Sequence, residues 1–157
     1  MSENFRTAID RINFILVAAV MCISYACANE AITVSDAWIK QGHANAGTLA
    51  GYMTISNNSG KEVVLREISG DHFEKIEIHR IEMQGDLMKM IPLDGLMIPA
   101  GESVHLQPGI IHLMMIGPVN LPQRGGTVDV VLHFDNGSRV NSSMILKNHE
   151  NSPEHHH

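Results

Sequence analysis

The sequence predicts an all-β domain, built as a sandwich or Greek-key barrel. Three observations lead there. The chain from residue 31 to residue 146 breaks into many short apolar runs of strand length. Turn signals rich in Gly, Pro, Asn and Asp fall between those runs. No window carries a long amphipathic helical pattern with a cap at each end. Short strands at such spacing, with no internal repeat, are the pattern of a sandwich or barrel rather than of alternating strands and helices.

The strands follow in order. AITVSDAWI predicts a strand over 31–39 and TLAGYMTISN one over 48–57, which stops at the turn Asn57-Asn58-Ser59-Gly60. EVVLREI predicts 62–68. KIEIHRIEM predicts 75–83, and the turn signal Gln84-Gly85-Asp86 sets it off from a strand over 86–92. After Pro99-Ala100-Gly101 comes 103–107, and after Gln107-Pro108-Gly109 comes IIHLMMI over 110–116. The last two strands, 127–134 and 139–146, are set off by Arg124-Gly125-Gly126 and Asp135-Asn136-Gly137.

A chain of 157 residues holds one domain with a real core. The ends read differently from the middle. Arg6 and Arg11 precede the apolar run INFILVAAVMCISY, and Ala26-Cys27-Ala28 is a small-x-small cleavage signal before Asn29. Residues 1–28 are therefore read as a secretory signal peptide, with export to the periplasm and no stable membrane insertion after cleavage. A retained anchor fits less well, because the run is short for a span of roughly 20 residues. A lipid-modified Cys27 fits less well too, since Ser24 and Tyr25 are poor residues before such a cysteine. Residues 29–147 form the folded domain. Residues 148–157, with His149, His155, His156 and His157, are read as a disordered polar tail. Whether that tail has weak metal affinity or is a cloning residue stays open.

Composition excludes several functions. Both cysteines, Cys22 and Cys27, lie in the leader, so a chain starting at Asn29 has no disulfide and no thiolate ligand. A zinc finger, a blue-copper electron-transfer site and a thiol-disulfide reductase all need what is missing. The net charge of -6 comes without a basic stripe, which argues against nucleic acid as a partner. No Gly-x-Ser-x-Gly elbow, His-Glu-x-x-His pair or phosphate-binding glycine loop is present, and the protein is not read as an enzyme.

Metal chemistry is where the sequence speaks. Ten residues separate His79 from Met90, twenty-one separate Met90 from His112, and Leu113 alone separates His112 from Met114. Six of the ten methionines crowd between His79 and Met115, whereas methionine is ordinarily a scattered core filler. Two imidazoles and two thioethers make a soft, uncharged donor set suited to Cu(I). By the two-residue period of a strand, Ile110, His112 and Met114 share one face, and Met88 shares a face with Met90. The alternation breaks between Ile78 and Ile81, which predicts a bulge or strand end and an exposed rim position for His79. Taken singly, each residue has an ordinary reading: a surface histidine for His79, core residues for Met90 and Met114. An imidazole at His112, in so apolar a strand, needs a partner. His105 alternates with Val104 and Leu106 and is read as solvent-facing, and His43, His72 and His133 have no partner of matching spacing.

These residues resemble the periplasmic copper chaperones of the PCu(A)C family, whose signature is His-x10-Met-x21-His-x-Met. It maps here onto His79, Met90, His112 and Met114 without a gap. The segments EIHRIEMQGDLMKM, IPAGESVHLQPG and HLMMIG, with Trp38 and with Tyr52 ahead of TISNNSG, are similar as well, so the resemblance spans about 34–146. Ile110 and Ile111 depart from it where glycines are common, and SGDHFEK replaces a stretch often rich in Ser and Pro. The resemblance implies a cupredoxin-like barrel that binds one Cu(I) and delivers it toward the CuA centre of a haem-copper oxidase, directly or through a thiol copper chaperone. A copper-buffering or resistance protein would use the same donors. A copper oxidase would need a site stable as Cu(II), which two thioethers oppose. A metal-free adhesion module would keep the same methionines as core.

Overall fold

A computed structural model describes residues 31–42, 46–85 and 87–147. The leader assigned to 1–28, the tail assigned to 148–157 and His43 lie outside the described residues. The described residues form strands and no helix: β1 Ile32–Lys40, β2 Thr48–Asn57, β3 Val63–Ser69, β4 Phe73–Gln84, β5 Leu87–Leu93, β6 Leu96–Ile98, β7 Ser103–Leu106, β8 Ile111–Pro118, β9 Thr127–Phe134 and β10 Arg139–Lys147. The all-β expectation holds. Nine of these strands sit where the sequence places them, with ends moved by one or two residues, and the three-residue β6 is additional.

The strands pair in the order β5-β4-β8-β2-β1-β10-β9-β3-β6, with β7 on β2 beside this path. All pairs are antiparallel except β1 with β10, where Trp38 lies opposite Ile145 in a parallel ladder. Two strands turn the sheet back on itself. In β1 the register against β2 slips between Ser35 and Trp38, where Asp36 takes φ 52°. Asp is one of the few residues that tolerates that left-handed region, and a bulge of this kind bends a strand. β2 divides its length: Thr48–Gly51 pair with β8, and Met53–Ser56 pair with β7.

The core is enclosed by inward side chains of both halves. Ile39, Ile55, Leu65, Ile98, Leu113, Met115, Val128, Leu132 and Met144 are wholly buried. Packing is tight under β2. A Cβ on Gly51 would stand 2.8 Å from Met115 Sδ and 3.1 Å from Met144 Cε, so only glycine fits that point of the strand. Asn57 is a buried polar residue with its hydrogen bonds complete. Its Nδ2 donates to the carbonyls of Lys61 (2.7 Å) and Ile98 (3.1 Å), and its Oδ1 accepts from Ser59 N (3.0 Å). This ties the Asn57-Asn58-Ser59-Gly60 turn to β6.

Candidate metal centre

The site lies on β5, β4 and β8, three neighbours in the sheet. His79 on β4 stands directly opposite His112 on β8, and Glu77 stands opposite Met114. Directly opposed residues of an antiparallel pair project to the same side. On the other flank of β4, Pro92 opposes His79 and Met90 opposes Ile81, two residues along the same face. His79, Met90, His112 and Met114 therefore project from one face. Ile78, Leu113 and Met115, which alternate with them, point into the core. The two imidazole centroids are 6.1 Å apart with ring planes at 48°.

Burial grades across the site. His79 and His112 retain only 7% and 6% of their exposure, Met114 is intermediate, and Met90 on the edge strand β5 retains 55%. This corrects the expected position of His79. β4 neither bulges nor ends there, since its register against β8 runs unbroken from Lys75 to Arg80. β5 joins on the opposite flank from Ile78 onward, so His79 has a strand on each side. Ile78 and His79 are both buried because the two faces of β4 are both covered, one by the core and one by the site. That double covering, rather than a bulge, breaks the alternation. The exposed rim position belongs to Met90.

Glu77 is a residue of the site that the sequence reading passed over. Its Oε2 lies 2.8 Å from His79 Nε2. A carboxylate only accepts, so Nε2 carries the proton and donates, which leaves Nδ1 of the neutral ring as a bare lone pair. That Nδ1 is buried and has no hydrogen-bond partner. Lys75, 2.5 Å from Glu77 Oε1, and then His79 hold the Glu77 carboxyl below the usual range. A carboxylate that orients an imidazole in this way is a common outer partner of a metal-binding histidine. The signal was present as Glu-x-His at strand spacing in EIH. His112 is also held below its ordinary pKa, first by burial and secondly by the nearby His79, so its imidazolium is disfavoured and its lone pair stays available to lower pH.

On the β2 side, Ala50 opposes Met114 and Tyr52 follows it on the same face, stacked on Trp38 at 4.5 Å between centroids. Burial raises the Tyr52 phenol pKa and keeps it neutral. The other described histidines make their hydrogen bonds elsewhere. His105 is exposed and bonded to Thr54 Oγ1 at 3.0 Å, His72 Nδ1 pairs with the Val119 carbonyl at 3.1 Å, and His133 pairs with Ser69 at 2.9 Å. Among the described residues, no three His, Cys, Asp or Glu side chains converge as a metal site.

Residues 32–145 match the model of the LpqE-like family, described as candidate lipoproteins. The chain belongs to the LpqE-like family. A candidate lipoprotein of Leifsonia xyli subsp. xyli (strain CTCB07), Lxx21020, is 25% identical to this LpqE-like chain over 126 residues, 80% of this chain and 75% of its own length. The copper-bound PCuAC domain from PmoF2 superposes with a TM-score of 0.65 at 16% identity, over 75% of this chain and 93% of that domain. The solution structure of CuI-DR1885 from Deinococcus radiodurans gives a TM-score of 0.55 at 24% identity, over 83% and 85%. The fold of this LpqE-like chain is thus that of PCuAC domains, a cupredoxin-like β-architecture, and the resemblance read from the sequence is met in three dimensions.

Proposed function

We propose that the protein is an exported copper chaperone that binds one Cu(I) tightly through His79, Met90, His112 and Met114. The observation that carries this reading is the common face. Four residues at the signature spacing project from three adjacent strands, with two buried imidazoles opposite each other and an orphaned lone pair on His79 Nδ1. The copper-bound state of the PmoF2 domain and the Cu(I) form of DR1885 support the same cargo. The lipoprotein descriptions of the relatives support export.

The chemistry suits a carrier. All four donors are neutral, so the bound ion keeps its single positive charge. Imidazole and thioether hold Cu(I) without a thiolate, and passage to a cysteine-bearing acceptor is downhill. The acceptor we propose is the CuA subunit of a haem-copper oxidase, reached directly or through a thiol copper chaperone. Met90, at the rim on the edge strand, is the donor an acceptor meets first. The buried histidines retain the ion until it does.

The test is a Cu(I) titration of the reduced protein against a competing chelator. Wild type should take one tight equivalent. Met114→Leu keeps volume and polarity close to the original and removes only the sulfur, so the fold should persist while affinity falls. Undiminished affinity in Met114→Leu would sink the four-ligand assignment.

A further inference from the structure

We propose that Met83, Met88 and Met90 form a second, weaker site for a soft monovalent ion, Cu(I) or Ag(I), at the turn end of the β4–β5 hairpin. Met83 stands directly opposite Met88, and Met90 opposes Ile81 two pairs further along, so the three thioethers share the face that carries the histidines. Directly opposed Cβ atoms in such a ladder are about 5 Å apart, and the flexible methionine side chain closes the rest.

The exposure of these residues is what calls for an explanation. Among the described methionines, Met114 is intermediate and Met97 on β6 is exposed. Met53, Met115 and Met144 are in the core, whereas Met83, Met88 and Met90 retain 65%, 64% and 55% of their exposure. An edge strand bearing large exposed apolar side chains invites aggregation, and proteins usually place charge there. Here the charge is on the reverse side, where Glu82 opposes Lys89. The site-side residues of this ladder, from Ile81 to Met90, are all uncharged: Ile81, Met83, Met88 and Met90. Hydrocarbon would serve solubility no worse than methionine at these positions, but only methionine offers a donor atom. Three thioethers without a carboxylate reject hard divalent cations and accept soft monovalent ones.

Met90 belongs to both clusters, which makes the hairpin a station beside the primary site. That linkage rests on the four-ligand reading above, while the existence of the second site does not. An ion reaching Met83 and Met88 from solvent passes to Met90 and then to the histidines, or leaves by the reverse route.

The experiment uses the full-length protein labelled with 13C at the methionine methyls and titrated with Ag(I), a redox-inert substitute for Cu(I). The methyls of Met90 and Met114 should shift with the first equivalent, and those of Met83 and Met88 with the second. The double variant Met83→Leu/Met88→Leu should lose the second equivalent and keep the first. In His112→Ala the response of Met83 and Met88 should persist, which separates failure of the primary site from failure of this one. Methyls of Met83 and Met88 that stay unmoved through two equivalents would overturn the proposal. So would a second equivalent bound equally well by the double variant.

Discussion

Glu77 and His79 set the protonation pattern of the site, and His112 sets its response to pH. Burial holds His112 below its ordinary value of 6.5. Well above that value the ring is neutral in both the folded and the unfolded chain and contributes nothing to stability. As pH falls through 6.5, the unfolded chain takes up a proton that folded His112 resists, so stability declines. Glu77 acts in the opposite region: its lowered pKa stabilises the fold above the ordinary carboxylate range, and that contribution is lost only as pH falls through it. Melting the metal-free protein between roughly pH 8 and pH 5.5 therefore isolates the histidine effect. Wild type should lose melting temperature across that window, and His112→Gln should lose less. Parallel slopes would show that His112 is not the group responsible. The burial gradient carries a second expectation. Met90→Leu should speed transfer of Cu(I) to a chelator in stopped flow, since the rim donor is gone, whereas His79→Ala and His112→Ala should abolish retention. Equal behaviour of the three variants would mean that the site has no easily released side. The four candidate residues were singled out from spacing and family resemblance, and the pairing of β4 with β5 and β8 puts them on one face. Their depth was not legible in the sequence, because burial of His79 depends on β5 and β8 flanking β4, and neither adjacency is written in a local pattern.

At the scale of elements, period and turn chemistry located nearly every strand. The exception, Leu96–Ile98, shows the limit of that reading. Three residues are too few to display alternation, and β6 pairs only with Val63–Leu65 of β3. What holds it in place is also a side chain far away in sequence, the Asn57 amide on the Ile98 carbonyl. Asn57→Ala removes that donor and the acceptor of Ser59, leaving buried polar groups unpaired. The cost should be about 1–3 kcal/mol in urea unfolding, with faster hydrogen exchange at the amides of β6. Unchanged unfolding would mean that solvent replaces those bonds and that β6 is held by pairing with β3 alone.

At the scale of the molecule, the order of the strands explains why a four-residue signature spread from residue 79 to residue 114 can act as one site. β8 follows β4 by three intervening strands in sequence yet lies directly beside it, and the β4–β5 hairpin brings Met90 to the other flank. No spacing rule foretells that adjacency; it follows from β2 dividing between β8 and β7 and from β1 bending at Asp36 to reach β10 in parallel. The same layout puts the core methionines Met115 and Met144 behind the site and Met83, Met88 and Met90 at its edge. The central claim is that one Cu(I) sits on that face between two imidazoles and two thioethers. X-ray absorption at the copper edge, on protein loaded with one equivalent, tests it most directly. The account predicts a Cu(I) edge with two nitrogen and two sulfur scatterers. A first shell of three or more sulfurs, or one with no sulfur, would contradict it.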